Sequence, residues 1–199
     1  GLTSCKIVIS NSLDEYIIRD VILEGAQINS FGVGERLITA KSEPVFGGVY
    51  KLAAIEDKNG TIIPKIKISE NVEKITNPHF KQVWRLTDKT DGKYRADVLT
   101  LRDEVIPEDQ PYVLFDPEHT WKKYTATNFT ARPLQVQLFD KGVCVHKKRG
   151  IQEIRSYCRE CMGRIWDAVA RFENPHPYYV DLSQKLWDIK YALLERNGK

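Results

Sequence analysis

The run Lys6-Ile7-Val8-Ile9 is short and β-branched, and just beyond it the apolar positions change period. Leu13, Ile17, Ile18, Val21, Ile22 and Leu23 recur at helical spacing. The pattern predicts a strand followed by a helix. Ser12-Leu13-Asp14-Glu15 matches the S-x-x-E capping box that opens a helix, and Gly25 stands where the chain leaves it. A second short strand from Ile28 runs into Gly32-Val33-Gly34 and a helical turn through Leu37. In a parallel α/β arrangement both strand ends face the same way, so Ser10 and Asn11 are expected beside Gly32 and Gly34.

The connector Lys41-Ser42-Glu43-Pro44-Val45-Phe46-Gly47-Gly48 marks a boundary, and the pattern beyond it is mostly antiparallel β. Short strands are predicted at Val49 to Ile55, Thr61 to Ile63 and Ile66 to Ile68, the first two joined across Asp57-Lys58-Asn59-Gly60. Gln82 to Leu86 pairs with Lys93 to Leu101 across Asp88–Gly92, and Gln135 to Phe139 pairs with Val143 to His146 across Asp140-Lys141-Gly142. Residues 106 to 130 show no periodicity that assigns them. Ile151, Ile154, Cys158, Cys161, Met162, Ile165, Trp166, Val169 and Phe172 predict one long helix over 151–172, stopped by Asn174-Pro175-His176-Pro177. A last helix from Ser183 to Glu195 turns Leu186, Ile189, Leu193 and Leu194 inward. Three portions result: residues 1–47, 48–150 and 151–199.

Composition adds boundaries. With 199 residues, 42% hydrophobic and 29% charged, the chain can bury a real core. No apolar run approaches the roughly 20 residues that cross a bilayer, so no membrane partner is expected. A net charge of +3, with acidic residues interleaved among basic ones, does not argue for nucleic acid. Four cysteines in a chain this long do not make a disulfide framework, and a cytoplasmic location is expected. Gly1 is no initiator methionine, and Gly1-Leu2-Thr3 reads as the tail of a helix-to-strand connection, so a C-terminal fragment of a longer protein is expected.

The chemistry centres on the glycine turn. Glycines let the backbone approach a ligand and adopt φ > 0, and free N–H groups at a helix start favour an anion, above all a phosphate. A third glycine is missing where Leu37 stands, and no G-K-[ST] follows, so neither the dinucleotide fingerprint nor a Walker loop is present. An isolated G-x-G is more often a bare turn; the strand–helix–strand unit before it is what points to a ligand. Asp14 and Glu15 fit the first turn of a helix structurally, while Asp14 at the strand end can also face a ribose hydroxyl. Cys144, His146, Cys158 and Cys161 are four candidate zinc ligands at a spacing unlike a standard finger, and the two helical cysteines already belong to the apolar stripe. No protein-bound metal is expected. His79, His119 and His176 lie in loop-like sequence without a triad arrangement.

Several blocks in order carry a resemblance. Ser10-Asn11-Ser12-Leu13-Asp14-Glu15, Ser30-Phe31-Gly32-Val33-Gly34 and Gly47-Gly48-Val49-Tyr50-Lys51-Leu52 resemble the second half of the bacterial nicotinate phosphoribosyltransferases. So do Lys67-Ile68-Ser69-Glu70-Asn71, Lys74-Ile75-Thr76-Asn77-Pro78, Arg132-Pro133-Leu134, Glu173-Asn174-Pro175-His176 and Val180-Asp181-Leu182-Ser183, so the likeness covers essentially the whole chain. It implies an α/β fold, α+β overall: the last βα units of an irregular barrel of the type II phosphoribosyltransferase kind, then a β-rich sandwich portion and two C-terminal helices. It implies phosphoribosyl transfer from phosphoribosyl pyrophosphate to nicotinate with coupled ATP hydrolysis and Mg²⁺, in NAD biosynthesis. The partners it implies are those substrates, an N-terminal half of the same protein and a homodimer.

Ser10, Asn11, Asp14, Gly32, Gly34 and Glu35 are the substrate phosphate and ribose residues carried over from the resemblance. The catalytic residues and most nicotinate contacts would lie upstream of Gly1, so the fragment alone is expected to be inactive. Many family members have threonine where this chain has Glu35, and a carboxylate beside a phosphate either turns away or weakens binding. A non-catalytic phosphate- or nucleotide-binding module and a nicotinamide-specific relative are the alternative readings.

Overall fold

A tight parallel pair begins the chain. Strand β1 (Val8–Ser10) lies beside β2 (Ser30–Gly32), with Val8 opposite Ser30, Ile9 opposite Phe31 and Ser10 opposite Gly32. Helix α1 (Glu15–Leu23) connects them, and a four-residue helix α2 (Glu35–Ile38) follows β2. The computed structural model describes residues 1–45 and 47–197; Phe46 of the predicted connector, Gly198 and Lys199 lie outside the described residues. The chain divides into two compact units, Gly1–Tyr50 and Lys51–Lys199.

In the first unit the helix cap differs from the expected one. Ser12 sits at φ 52°, so it cannot take the extended cap conformation, and Asp14 caps instead, its Oδ1 accepting from the Ile17 N–H at 2.9 Å. The helix ends as its sequence predicts: Gly25, at φ 85°, donates to the Ile22 carbonyl and Ala26 to that of Val21, the paired bonds of a Schellman motif. Burial is slight. Leu13 is buried and Ile9, Ile18, Phe31 and Val33 are half-buried, but Ile17, Ile22 and Leu23 of the apolar face remain exposed.

The second unit is organised by two eight-residue strands. After the short hairpin β3 (Ala54–Glu56) and β4 (Ile62–Pro64), turned by Asp57 as predicted, and a 3-10 turn (Val72–Lys74), β5 (Lys81–Asp88) pairs antiparallel with β6 (Tyr94–Leu101). Residues 66–68, expected as a strand, have no ladder; Lys67 bonds instead to Thr76, whose hydroxyl accepts its N–H. The stretch 106–130, unassigned from sequence, holds β7 (Tyr112–Phe115), β8 (Lys123–Ala126) and the start of β9 (Phe129–Pro133). Its apolar residues complete the core: Ile106, Leu114, Ala126 and Phe129 pack with Leu86, Ala96 and Val98. The hairpin predicted over 135–146 shrinks to two-residue strands, β10 (Phe139–Asp140) and β11 (Val143–Cys144), around Lys141 and Gly142 at positive φ.

The predicted helix over 151–172 is broken. It runs as α3 (Ile151–Gly163), turns extended at Trp166 and resumes briefly as α4 (Asp167–Ala170). The cause is tertiary: Lys93 Nζ donates to the carbonyls of Gly163 and Ile165, and Tyr94 N–H to that of Arg164, so the carbonyls that would continue the helix are taken by the start of β6. Further on, β12 (Val180–Leu182) adds to β6 in parallel, giving a four-stranded sheet of order β12-β6-β5-β9. Helix α5 (Gln184–Asn197) closes the unit, anchored by fully buried Leu186. Ser183 starts it, its hydroxyl accepting from Leu186 N–H and donating to Glu104, which also takes the Leu101 N–H.

One sheet face carries Trp84, Leu86, Ala96 and Val98, and the other carries a charged network. Arg85 donates to both oxygens of Asp97 at 2.8 Å, and Tyr178 donates to the same carboxylate at 3.0 Å. Its hydrogen bonds to Asp97 raise the Arg85 pKa, and burial followed by the Asp97 charge pushes the Tyr178 phenol up. Breaking one partner of such a buried pair strands the other charge, so Asp97→Ala is expected to destabilise the fold by about 3 kcal/mol in urea unfolding. A loss under about 1 kcal/mol would show the pair to be dispensable.

Asp181, on β12, is only 6% exposed, and burial together with the nearby Asp116 raises its pKa from 3.8 to about 6. A carboxyl whose folded pKa is raised favours the folded state when protonated. Its stabilisation is complete below about pH 4, is lost as pH rises to about 6, and stays lost above that. Asp181→Asn does not titrate, so its stability relative to wild type is expected to improve by about 2–3 kcal/mol between pH 4 and pH 8. A pH-independent difference would mean that Asp181 titrates normally.

Candidate functional site

The end of the parallel pair gathers the residues singled out in the sequence. Ser10 and Gly32 are register partners, which brings Asn11 and the Gly32–Gly34 turn to one side of the same strand ends. The pairing is close: a Cβ at position 32 would stand 3.0 Å from Ser10 Cβ, so glycine is what lets the two strand ends meet there. The sharp turn follows β1. Asn11 at φ 88° and Ser12 at φ 52° are consecutive non-glycine residues in the left-handed region, each costing on the order of 1–3 kcal/mol.

This corrects the expectation that Gly32 and Gly34 supply positive φ, since neither does. Gly34 sits at φ −109° as the cap of α2, and a Cβ there would meet nothing within 4 Å. The close approach that demands glycine is at position 32 and not at position 34. The amides that open α2 have no intrahelical acceptor, and the space in front of Gly34 is open.

Two carboxylates flank this turn, and each has a cation. Asp14 Oδ2 accepts from Arg36 Nη1, while its other oxygen caps α1. The carboxyl is largely covered, with 12% exposure. Arg36 is thus tied back to the start of α1, an ion pair that sequence reading missed; the signal was an arginine in the first turn after Gly34, opposite a capping aspartate in a parallel unit. Glu35 leans the other way, toward Lys41 at 3.3 Å, and is largely exposed. With Asp14 neutralised and Glu35 drawn toward Lys41, the turn presents backbone amides, Ser10, Asn11 and a partly exposed guanidinium, a set suited to an oxyanion.

Elsewhere the candidates disperse. Cys144 and Cys158 are exposed and Cys161 is half-buried, and among the described residues no group of three or more His, Cys, Asp or Glu is placed to hold a metal ion. His119 pairs with Asp116 at 3.3 Å and stands edge-on to Trp121, without a nucleophile in the pair. Among the described residues no helix is long and apolar enough to cross a membrane.

Residues 80–190 match the family described as "Nicotinate phosphoribosyltransferase C-terminal domain". The nicotinate phosphoribosyltransferase of Bacillus subtilis (strain 168) is 36% identical over 190 residues, which are 96% of this chain and 39% of that protein. The human protein of the same name is 29% identical over 185 residues, 93% of this chain and 33% of its own length. A crystal structure of human nicotinic acid phosphoribosyltransferase superimposes with a TM-score of 0.67 at 24% identity, covering 96% of this chain and 33% of that one. The chain thus spans about two fifths or less of the relatives it matches, and the likeness to the solved structure confirms a mixed helix-and-sheet fold, with no closed barrel among the described residues. With the family match extending over more than half of its length, the chain belongs to the nicotinate phosphoribosyltransferase family.

Proposed function

We propose that this chain is the C-terminal part of an enzyme that forms nicotinate mononucleotide from nicotinate and phosphoribosyl pyrophosphate, with coupled ATP hydrolysis, for NAD synthesis. In that reaction the ribose C1–pyrophosphate bond breaks, nicotinate nitrogen bonds to C1 and pyrophosphate leaves. The chain's share is positional. The amides of Gly34 and Glu35, with Ser10 and Asn11, hold the 5′-phosphate, so that C1 is presented at a fixed distance from the ring nitrogen. Asp14 holds Arg36 at the edge of this anchor and borders the ribose. The observation that carries the reading is the Ser10–Gly32 pairing beside two left-handed residues, a strained and closely built strand end in a chain of this family.

In this reading β1 and β2 are the last parallel strands of an irregular α/β barrel, and the rest of that barrel belongs to an N-terminal part of the same protein. The exposed apolar face of α1 and the slight burial around Leu13 support it, because a parallel pair needs cover on both faces. Mg²⁺ does not fit the turn: its two carboxylates already hold Arg36 and Lys41, and no step here is assigned to the ion. The chain alone is expected to show no turnover with nicotinate, phosphoribosyl pyrophosphate and ATP.

Two variants of the longer protein test the anchor. Gly32→Val drives a side chain into Ser10 and is expected to raise KM for phosphoribosyl pyrophosphate at least tenfold. Asn11→Gly relaxes the left-handed turn while removing a hydrogen-bonding side chain. It is expected to hold or raise the melting temperature yet raise the same KM by roughly tenfold or more. Unchanged KM values in both variants would reduce the strand end to a structural turn.

A further inference from the structure

The second unit contains a solvent-open cleft of about 840 Å³, a volume in the range of small-molecule sites, and nothing assigned to the family turn uses it. Its walls are aromatic: Phe115, Tyr124, Tyr178 and the edge-on pair Trp166 and Tyr179 line it. Its charges are mostly answered. Arg95 is held by Asp88 and Asp91 at 2.8 Å, and Lys122 stands 4.0 Å from Asp116. Asp116 also accepts the backbone N–H groups of Glu118 and His119. Lys190 has the field of Glu118, and Lys123 is exposed at the rim.

Asp181 is the exception. The residue lines the cleft while only 6% exposed, and its carboxylate has no hydrogen bond or ion pair among the described residues. The titratable groups whose charge reaches it are Asp116, which repels it, and the half-buried phenol of Tyr112. A carboxyl this covered is ordinarily paired, because burying the charge without a partner is costly. The cleft's lining residues also include two with covered polar atoms without partners, Asn77 Oδ1 and Trp166 Nε1. An aromatic-walled space with one unanswered carboxylate matches a flat cation, which brings N–H donors to the oxygens and a π-face or edge to the rings.

We propose that this cleft is a binding site for a small planar organic cation of the amidinium, guanidinium or aminopyridinium class, held by a charge-assisted hydrogen bond to Asp181 between the aromatic walls. The inference stands apart from the proposed transferase reaction and concerns no residue of its anchor. The volume favours a whole small molecule over a single inserted side chain.

The probe is benzamidine, with the isosteric neutral benzamide as its control, titrated into the protein by calorimetry at pH 8. Benzamidine is expected to bind at least tenfold more tightly than benzamide. Asp181→Asn is expected to abolish that preference while unfolding at the same or a higher temperature. At pH 5, where Asp181 is protonated, the preference is expected to fade in wild type as well. Equal binding of the two probes to wild type, a preference that survives in Asp181→Asn, or exclusion of both because a basic segment of the longer protein fills the cleft would each overturn the assignment.

Discussion

The strand end at Ser10 depends on one missing atom. With glycine at position 32 the backbone of β2 comes into contact distance of Ser10; with any Cβ there the two strand ends must part. Everything local follows from that approach. It fixes where β1 must turn, and the turn is made by Asn11 and Ser12 at positive φ because the chain has to reach the start of α1 within four residues. Asp14 then falls where it can cap α1 and hold Arg36, which links the glycine turn back to the helix before it.

The second unit obeys a different constraint. Its sheet has one apolar face and one charged face, and on the charged face Arg85, Asp97 and Tyr178 close on one another; at the β5–β6 turn Arg95, Asp88 and Asp91 do the same. Asp181, opposite Val98 on the strand beside β6, falls on the apolar side and is left as a conspicuous unpaired carboxyl. A sheet that spends its arginines on structural partners has none to offer there, which is why the cleft keeps an uncompensated charge in an aromatic setting.

Local periodicity was informative where local interactions decide. The strands at 8–10, 81–88 and 94–101, the helix over 15–23, its glycine stop and the final helix were legible because alternation, helical spacing and turn residues act within a few positions. The stretch 106–130 was not, since its short strands are separated by proline and aspartate turns and are recognised only by the core they fill. The break at residue 164 was invisible for the same reason: the apolar stripe continues through Trp166, and the lysine that captures the carbonyls lies 70 residues earlier. At the candidate site the grouping of Ser10, Asn11, Gly32 and Gly34 follows from the parallel unit, whereas the location of the left-handed residues and the Arg36–Asp14 pair depend on side chains meeting across elements.

In the proposed reaction Asn11 grips the 5′-phosphate of the substrate and no other part of it. A coupling measurement tests that directly. The KM of wild type and of Asn11→Gly, in the longer protein, is compared for phosphoribosyl pyrophosphate and for the analogue lacking the 5′-phosphate. If the turn holds the phosphate, the tenfold or larger penalty of Asn11→Gly disappears with the analogue, because the interaction is already gone. An equal penalty on both substrates would assign Asn11 to folding or to another part of the substrate and not to the 5′-phosphate.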